Sequence, residues 1–125
     1  MDQYYFKQKK NINIITIRIV EELEIKKLNL MYRGKNLTTN ILSFEINKMI
    51  QNHCILLGDL VLCKKIIEKE SEQYNKTLES HWAHMIIHGT LHLLGYDHQT
   101  HQEAYKMEKT ENEIMLLLNY PKPNT

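Results

Sequence analysis

The first regular pattern of apolar positions begins at Ile12. INIITIRIV, residues 12–20, is rich in β-branched residues and alternates in part, which predicts a strand. EELEIKKLNLMY follows. Leu23, Lys26, Lys27 and Leu30 are spaced as in a helix, and Leu23, Ile25, Leu28 and Met31 suggest one packed stripe running to about Met31. Gly34 breaks the pattern, and RGKNLTTN reads as a polar loop. ILSFEI, from Ile41, predicts a second strand, with residues 47–53 as a connection. CILLGDLVLC, residues 54–63, is nearly all apolar and reads as a buried central strand interrupted at Gly58-Asp59.

The second half is helical. A charged helix is predicted over Lys64–Gln73, and YNKT forms a linker with Thr77 as its cap toward the next element. Leu78 to Leu94 is the long helix, ended by Gly95 where a left-handed residue is favoured. Tyr96 to Thr100 form a turn. Gln102 to Leu118 make a final helix with Ala104, Met107, Glu111, Ile114, Met115 and Leu118 near one side. The order strand, helix, strand, strand, helix, helix, helix indicates an α+β domain built on one small sheet packed with helices. The expected organisation is a tail or shortened start at 1–11, one domain over 12–120, and a C-terminal tail at 121–125.

Composition narrows this picture only a little. Hydrophobic residues make up 42% of the chain, enough for a single core, and the formal net charge is +1. A nucleic-acid partner would have to be met by a local basic patch. The Lys-Gln-Lys-Lys run at residues 7–10 reads as a solvated end. Cys54 and Cys63 are too far apart for a CxxC pair and read as buried thiols in a reducing compartment. The polar start has no leader-like apolar run, and no apolar run approaches a membrane span. A soluble, cytoplasmic monomer is expected.

The chemistry is concentrated in HGTLHLLGYDH, residues 88–98. His88 and His92 are four apart on a helix, so their rings project from one face, one turn apart. Gly95 lets the chain leave the helix, so His98 can bring a third imidazole from outside it. Three neutral nitrogens with a fourth position for water are the catalytic type of zinc site. The alternatives are scattered or core histidines with hydrogen-bond partners, and a closed structural site whose fourth ligand comes from Asp97, Cys54 or Cys63. His84 and His88 form a rival pair, and His84 is otherwise read as a neighbour of the ligands or a surface residue. His53 and His101 read as surface. The spacing also matches the extended metalloprotease signature, but the general-base Glu of that signature is replaced by Gly89, which argues against proteolysis.

HWAHMIIHGTLHLLGYDH, residues 81–98, resembles the signature of the YbeY family of bacterial endoribonucleases, and the enterobacterial members most of all. The likeness continues through LNLMYRGK, TTNILSFEI, LLGDLVLC and MEKTENEIM. The resemblance implies a single-strand-specific, metal-dependent endoribonuclease. It would act in maturation of the 3′ end of small-subunit (16S) rRNA and in ribosome quality control, with single-stranded rRNA and the small ribosomal subunit and its proteins as partners. It implies a fold similar to the zinc metalloprotease core, with one zinc ion at the end of the long helix on His88, His92 and His98. The family's functional arginine falls on Arg33. The chain departs from the family in the loop NLTTN, which lacks the usual Asp and Pro, and at Glu45, where Pro is usual.

Two carboxylates are read as neighbours of this site. Asp59 follows Gly58 inside an apolar run, where a charge must be paired or at a strand end. It could orient a helix, bond backbone or tune a ligand. Asp97 could accept from an imidazole or cap the turn. Two other functions stay open: another hydrolase on the same metal scaffold, a protease included, and a non-catalytic ribosome assembly factor whose fold the metal stabilises.

Overall fold

The computed structural model describes residues 12–123. The expected tail at 1–11, with its Lys-Gln-Lys-Lys run, and the last two residues lie outside the described residues. The elements are β1 (Ile12–Val20), α1 (Glu22–Arg33), β2 (Ile41–Gln51), β3 (Cys54–Cys63), α2 (Lys64–Gln73), α3 (Leu78–Leu93) and α4 (His101–Leu117). The three strands form one mixed sheet in the order β1-β3-β2, with β1 parallel and β2 antiparallel to β3.

Because β3 is central, both of its faces are covered, which is why its sequence runs almost continuously apolar. One face, carrying Leu60 and Leu62, packs with Met85 and Leu93 of α3 and Ile67 of α2. The other, carrying Val61 and Cys63, packs with Leu42 of β2 and with Ile25 and Leu28 of α1. The sheet is thus sandwiched between α1 and the α2–α3 layer, and α4 rests on α3. Cys63 is fully buried, whereas Cys54 is only partly so, and both thiols are free. Among the described residues no helix is long and apolar enough to cross a membrane.

Two elements differ from their sequence pattern. The packed stripe of α1 keeps Ile25 and Leu28 but not Leu23 and Met31. Leu23 and Met31 are 65% and 70% exposed, and the buried residues are Ile25 and the polar Asn29. Asn29 can be buried because its Nδ2 donates to the carbonyl of Leu37 at 2.9 Å, which pins the loop after the helix. β2 continues to Gln51 where a connection was expected from residue 47. Its second half is exposed but stays paired, with Lys48 opposite Leu56 and Met49 opposite Ile55, after an irregularity around Asn47 (φ 51°).

Helix ends set the positions that matter for the cleft. Thr77 accepts from the backbone N–H of Ser80 at 3.2 Å and starts α3. Thr100 and Glu103 form a capping box, so α4 begins at His101, one residue earlier than the pattern suggested. Gly34, at φ 70°, stops α1 directly after Arg33, and Lys35 N–H returns to the carbonyl of Asn29.

Candidate metal centre

α3 carries four histidines, and the helical repeat sorts them. His81 is buried toward α2, where its Nε2 lies 2.9 Å from Glu70. His84, His88 and His92 succeed one another at intervals of four along one face, turned toward α4 and the open end of the sheet. The helix lies tight against the sheet at Gly89. A Cβ there would come within 2.6 Å of Ile41 Cδ1 and 2.8 Å of Leu60 Cδ2. The position at which a metalloprotease keeps its glutamate is therefore filled by the sheet in this chain.

Gly95, at φ 100°, turns the chain off the end of α3, with Tyr96 N–H bonding back to Leu91 at 2.9 Å. The turn brings the His98 ring to 5.1 Å from that of His92 and 5.9 Å from that of His88, centroid to centroid. Ligand nitrogens of His88, His92 and His98 all lie within 4.8 Å of one another, so the cluster is able to hold a metal ion. Nδ1 of His92 donates to the carbonyl of Tyr96 at 3.0 Å, which leaves its Nε2 free of a proton. That Nε2 lies 3.2 Å from Nε2 of His88. Two nitrogens on one tetrahedral zinc, each about 2.0–2.1 Å from it, stand roughly 3.3 Å apart. The observed separation fits such an ion.

Electrostatics favour a neutral His92 ring. Burial holds the pKa of His92 below its ordinary value of 6.5, and His88 and His98 push it the same way. The Tyr96 carbonyl and Asp97 oppose the shift without reversing it. Asp97 accepts from its neighbour's backbone, His98 N–H, at 2.7 Å, so it caps the turn.

The three histidines line one wall of a cleft of about 560 Å³. Arg33, Lys35, Asn40 and Ser43 line the same cleft. Arg33 is exposed and makes one long hydrogen bond among the described residues, 3.5 Å to the carbonyl of Ser43, and its guanidinium has further donors to offer a ligand. Asp59 is not in this cleft. It accepts from the Thr16 hydroxyl on the α1 face of the sheet, in a pocket shared with Arg18 and Tyr32. His53 and His101 are exposed, and neither belongs to the cluster.

The sequence reading counted Glu111 only as part of the α4 stripe. In the structure its carboxylate meets His84 Nε2 at 2.8 Å and His88 Nδ1 at 2.5 Å. His84 is therefore a neighbour of the cluster rather than a surface residue. The available signal was an acid at the middle of a buried face, between Met107 and Met115, since such a group has to find partners.

Comparison with known proteins agrees with this geometry. The family described as "Endoribonuclease YbeY" matches residues 2–119, so the match reaches into the stretch expected to be a tail. A protein named "Endoribonuclease YbeY" from Buchnera aphidicola subsp. Acyrthosiphon pisum is 72% identical over 94% of this chain and 76% of its own length. One of the same name from Buchnera aphidicola subsp. Schizaphis graminum is 68% identical over 93% of this chain and 73% of its own. Among solved structures, the solution structure of TM1509 from Thermotoga maritima is similar with a TM-score of 0.52. It has 27% identity and covers 89% of this chain and 77% of that one.

Proposed function

Since the chain belongs to the YbeY endoribonuclease family, we propose that it is a metal-dependent endoribonuclease of rRNA processing that cuts single strands at the cleft between Arg33 and the three histidines. One observation carries the reading: the cluster of His88, His92 and His98 shares one open cleft with an exposed arginine. A phosphodiester needs its negative charge met as the pentavalent transition state forms, and a planar guanidinium can do this with two parallel hydrogen bonds. Arg33 and Lys35 are the arginine and lysine cations lining that cleft.

His88, His92 and His98 would hold one zinc ion. When bound, zinc supplies Lewis-acid polarisation and lowers the pKa of water near it. The chain's own residues prepare for this. Tyr96 fixes the rotation of the His92 ring through its carbonyl, and Asp97 fixes the turn that carries His98. The cleft is open on one side, which suits a flexible strand able to bend a phosphate inward. An A-form duplex holds its backbone in a fixed shape. The small-subunit rRNA near its 3′ end, encountered on the small ribosomal subunit, is the substrate that the family resemblance implies.

Proteolysis is the poorer reading, because Gly89 stands where a metalloprotease keeps its glutamate, and a side chain there would have to displace Ile41 and Leu60. The test compares native protein, metal-stripped protein and Arg33→Ala on single-stranded rRNA under single-turnover conditions. Arg33→Ala is expected to fold and bind metal as the native protein does but to cleave at least about tenfold more slowly, roughly 1.4 kcal/mol of transition-state stabilisation. Equal rates would remove Arg33 from the reaction. Digestion of casein with RNA left intact would overturn the substrate class.

A further inference from the structure

Glu111 interrupts the buried stripe of α4 between Met107 and Met115, and its side chain is only 3% exposed. Its two oxygens join two rings of α3, Oε2 with Nδ1 of His88 and Oε1 with Nε2 of His84. A carboxylate offers acceptors only, so each ring donates an N–H to it. The assignment at His84 has independent support. Its Nδ1 is buried without a hydrogen-bond partner, and a buried N–H lacking an acceptor is rarer than a buried acceptor lacking a donor, so the proton belongs on Nε2. At His88 the proton then sits on Nδ1, and the bare Nε2 faces Nε2 of His92.

We propose that Glu111 is the positioning residue of the metal centre. It holds His88 in the Nδ1–H tautomer and in one rotation, so that Nε2 presents its lone pair to the ion, while His84 anchors the other oxygen and keeps the carboxylate from turning away. The inference rests on the reading of His88, His92 and His98 as metal ligands. It places one support of the centre on α4, an element that contributes none of the three ligands. His92 is supported differently, by a backbone carbonyl of its own turn.

Glu111→Gln tests this because it keeps the shape and changes the donor pattern. Where two acceptors are needed, glutamine offers one acceptor and one NH2. If the NH2 faces His88, the His88 proton moves to Nε2 and blocks the lone pair. If it faces His84, that ring must carry its proton on the buried Nδ1. Zinc affinity, measured by competition with a chromophoric chelator, should fall about 10- to 100-fold, the usual range for loss of a hydrogen-bond partner behind a metal ligand. Ring ¹⁵N shifts of the metal-free native protein should show His88 protonated on Nδ1. A native His88 protonated on Nε2 would overturn the proposal, and this measurement decides the matter even if the variant does not fold. His92→Ala separates the two readings. If it loses zinc while Glu111→Gln binds within twofold of native, only the positioning role fails. If His92→Ala itself binds zinc with full affinity, the metal reading beneath it fails too.

Discussion

Gly89 and His92 are about five-sixths of a helical turn apart, and each has its identity set by what it faces. Gly89 looks into the sheet, where a larger group meets Ile41 and Leu60, the latter fully buried. Gly89→Glu should therefore destabilise the fold by about 3 kcal/mol or more, since it overpacks the core and buries a carboxylate with no partner. Urea denaturation should show this as a lower midpoint, and no peptidase activity should be gained. A variant of native stability would mean that the helix can lift off the sheet. His92 looks into the cleft, and burial beside two other imidazoles lowers its pKa. The sign follows from proton linkage. The unfolded ring, near 6.5, takes up its proton before the folded ring does, so the contribution of His92 is present above that pH and is lost as the pH falls through and below it. Metal-free protein titrated with denaturant from pH 8 to pH 5 should lose stability in that window, and His92→Asn should flatten the loss. Protons also compete with metal for the same nitrogens, so zinc occupancy should fall over the same range.

At the scale of elements, the end of α3 is the decisive joint. Gly95 has φ 100° and nothing within 4 Å of where a Cβ would stand, so Gly95→Ala meets backbone strain and no collision. A cost of about 1–2 kcal/mol is expected in the metal-free protein. Relaxation of the turn should also weaken zinc binding, because His98 is delivered by that turn while His88 and His92 stay on the helix. Calorimetry of the metal-free protein and a zinc titration check the two parts separately. The joint was legible in the sequence because a histidine pair at helical spacing, a glycine and a third histidine form a local pattern. Glu111 was not legible as part of the site, since its partners lie on another helix and only packing brings α4 onto α3. The second half of β2 escaped for another reason. Periodicity reports side-chain burial, and there the side chains are exposed while the backbone remains paired with β3. Asp59 was misleading because it shares a strand with the core that supports the site yet points to the opposite face of the sheet.

For the whole molecule, the strand order β1-β3-β2 gives the α+β architecture that the pattern of elements predicted, with Arg33 and the histidines brought to one groove from segments far apart in sequence. The same order constrains the route by which the chain reaches its fold. β2 and β3 are joined by a tight turn at Asn52–His53, so their ladder closes a short loop and can nucleate early. β1 must instead wait for β3, which is made long after it: Ile12 aligns with Cys54, and Val20 with Cys63. Closing that loop loses more chain entropy for parallel contacts that are slightly weaker per residue. The hairpin should accordingly be formed in the folding transition state and β1 should dock after it. Conservative truncations in the hairpin, such as Leu42→Ala, should slow refolding. Ile15→Val in β1 should chiefly speed unfolding, and the reverse pattern would mean that β1 belongs to the nucleus. None of the residues that line the histidine cleft comes from β1, so the groove's own walls can assemble before the last strand arrives.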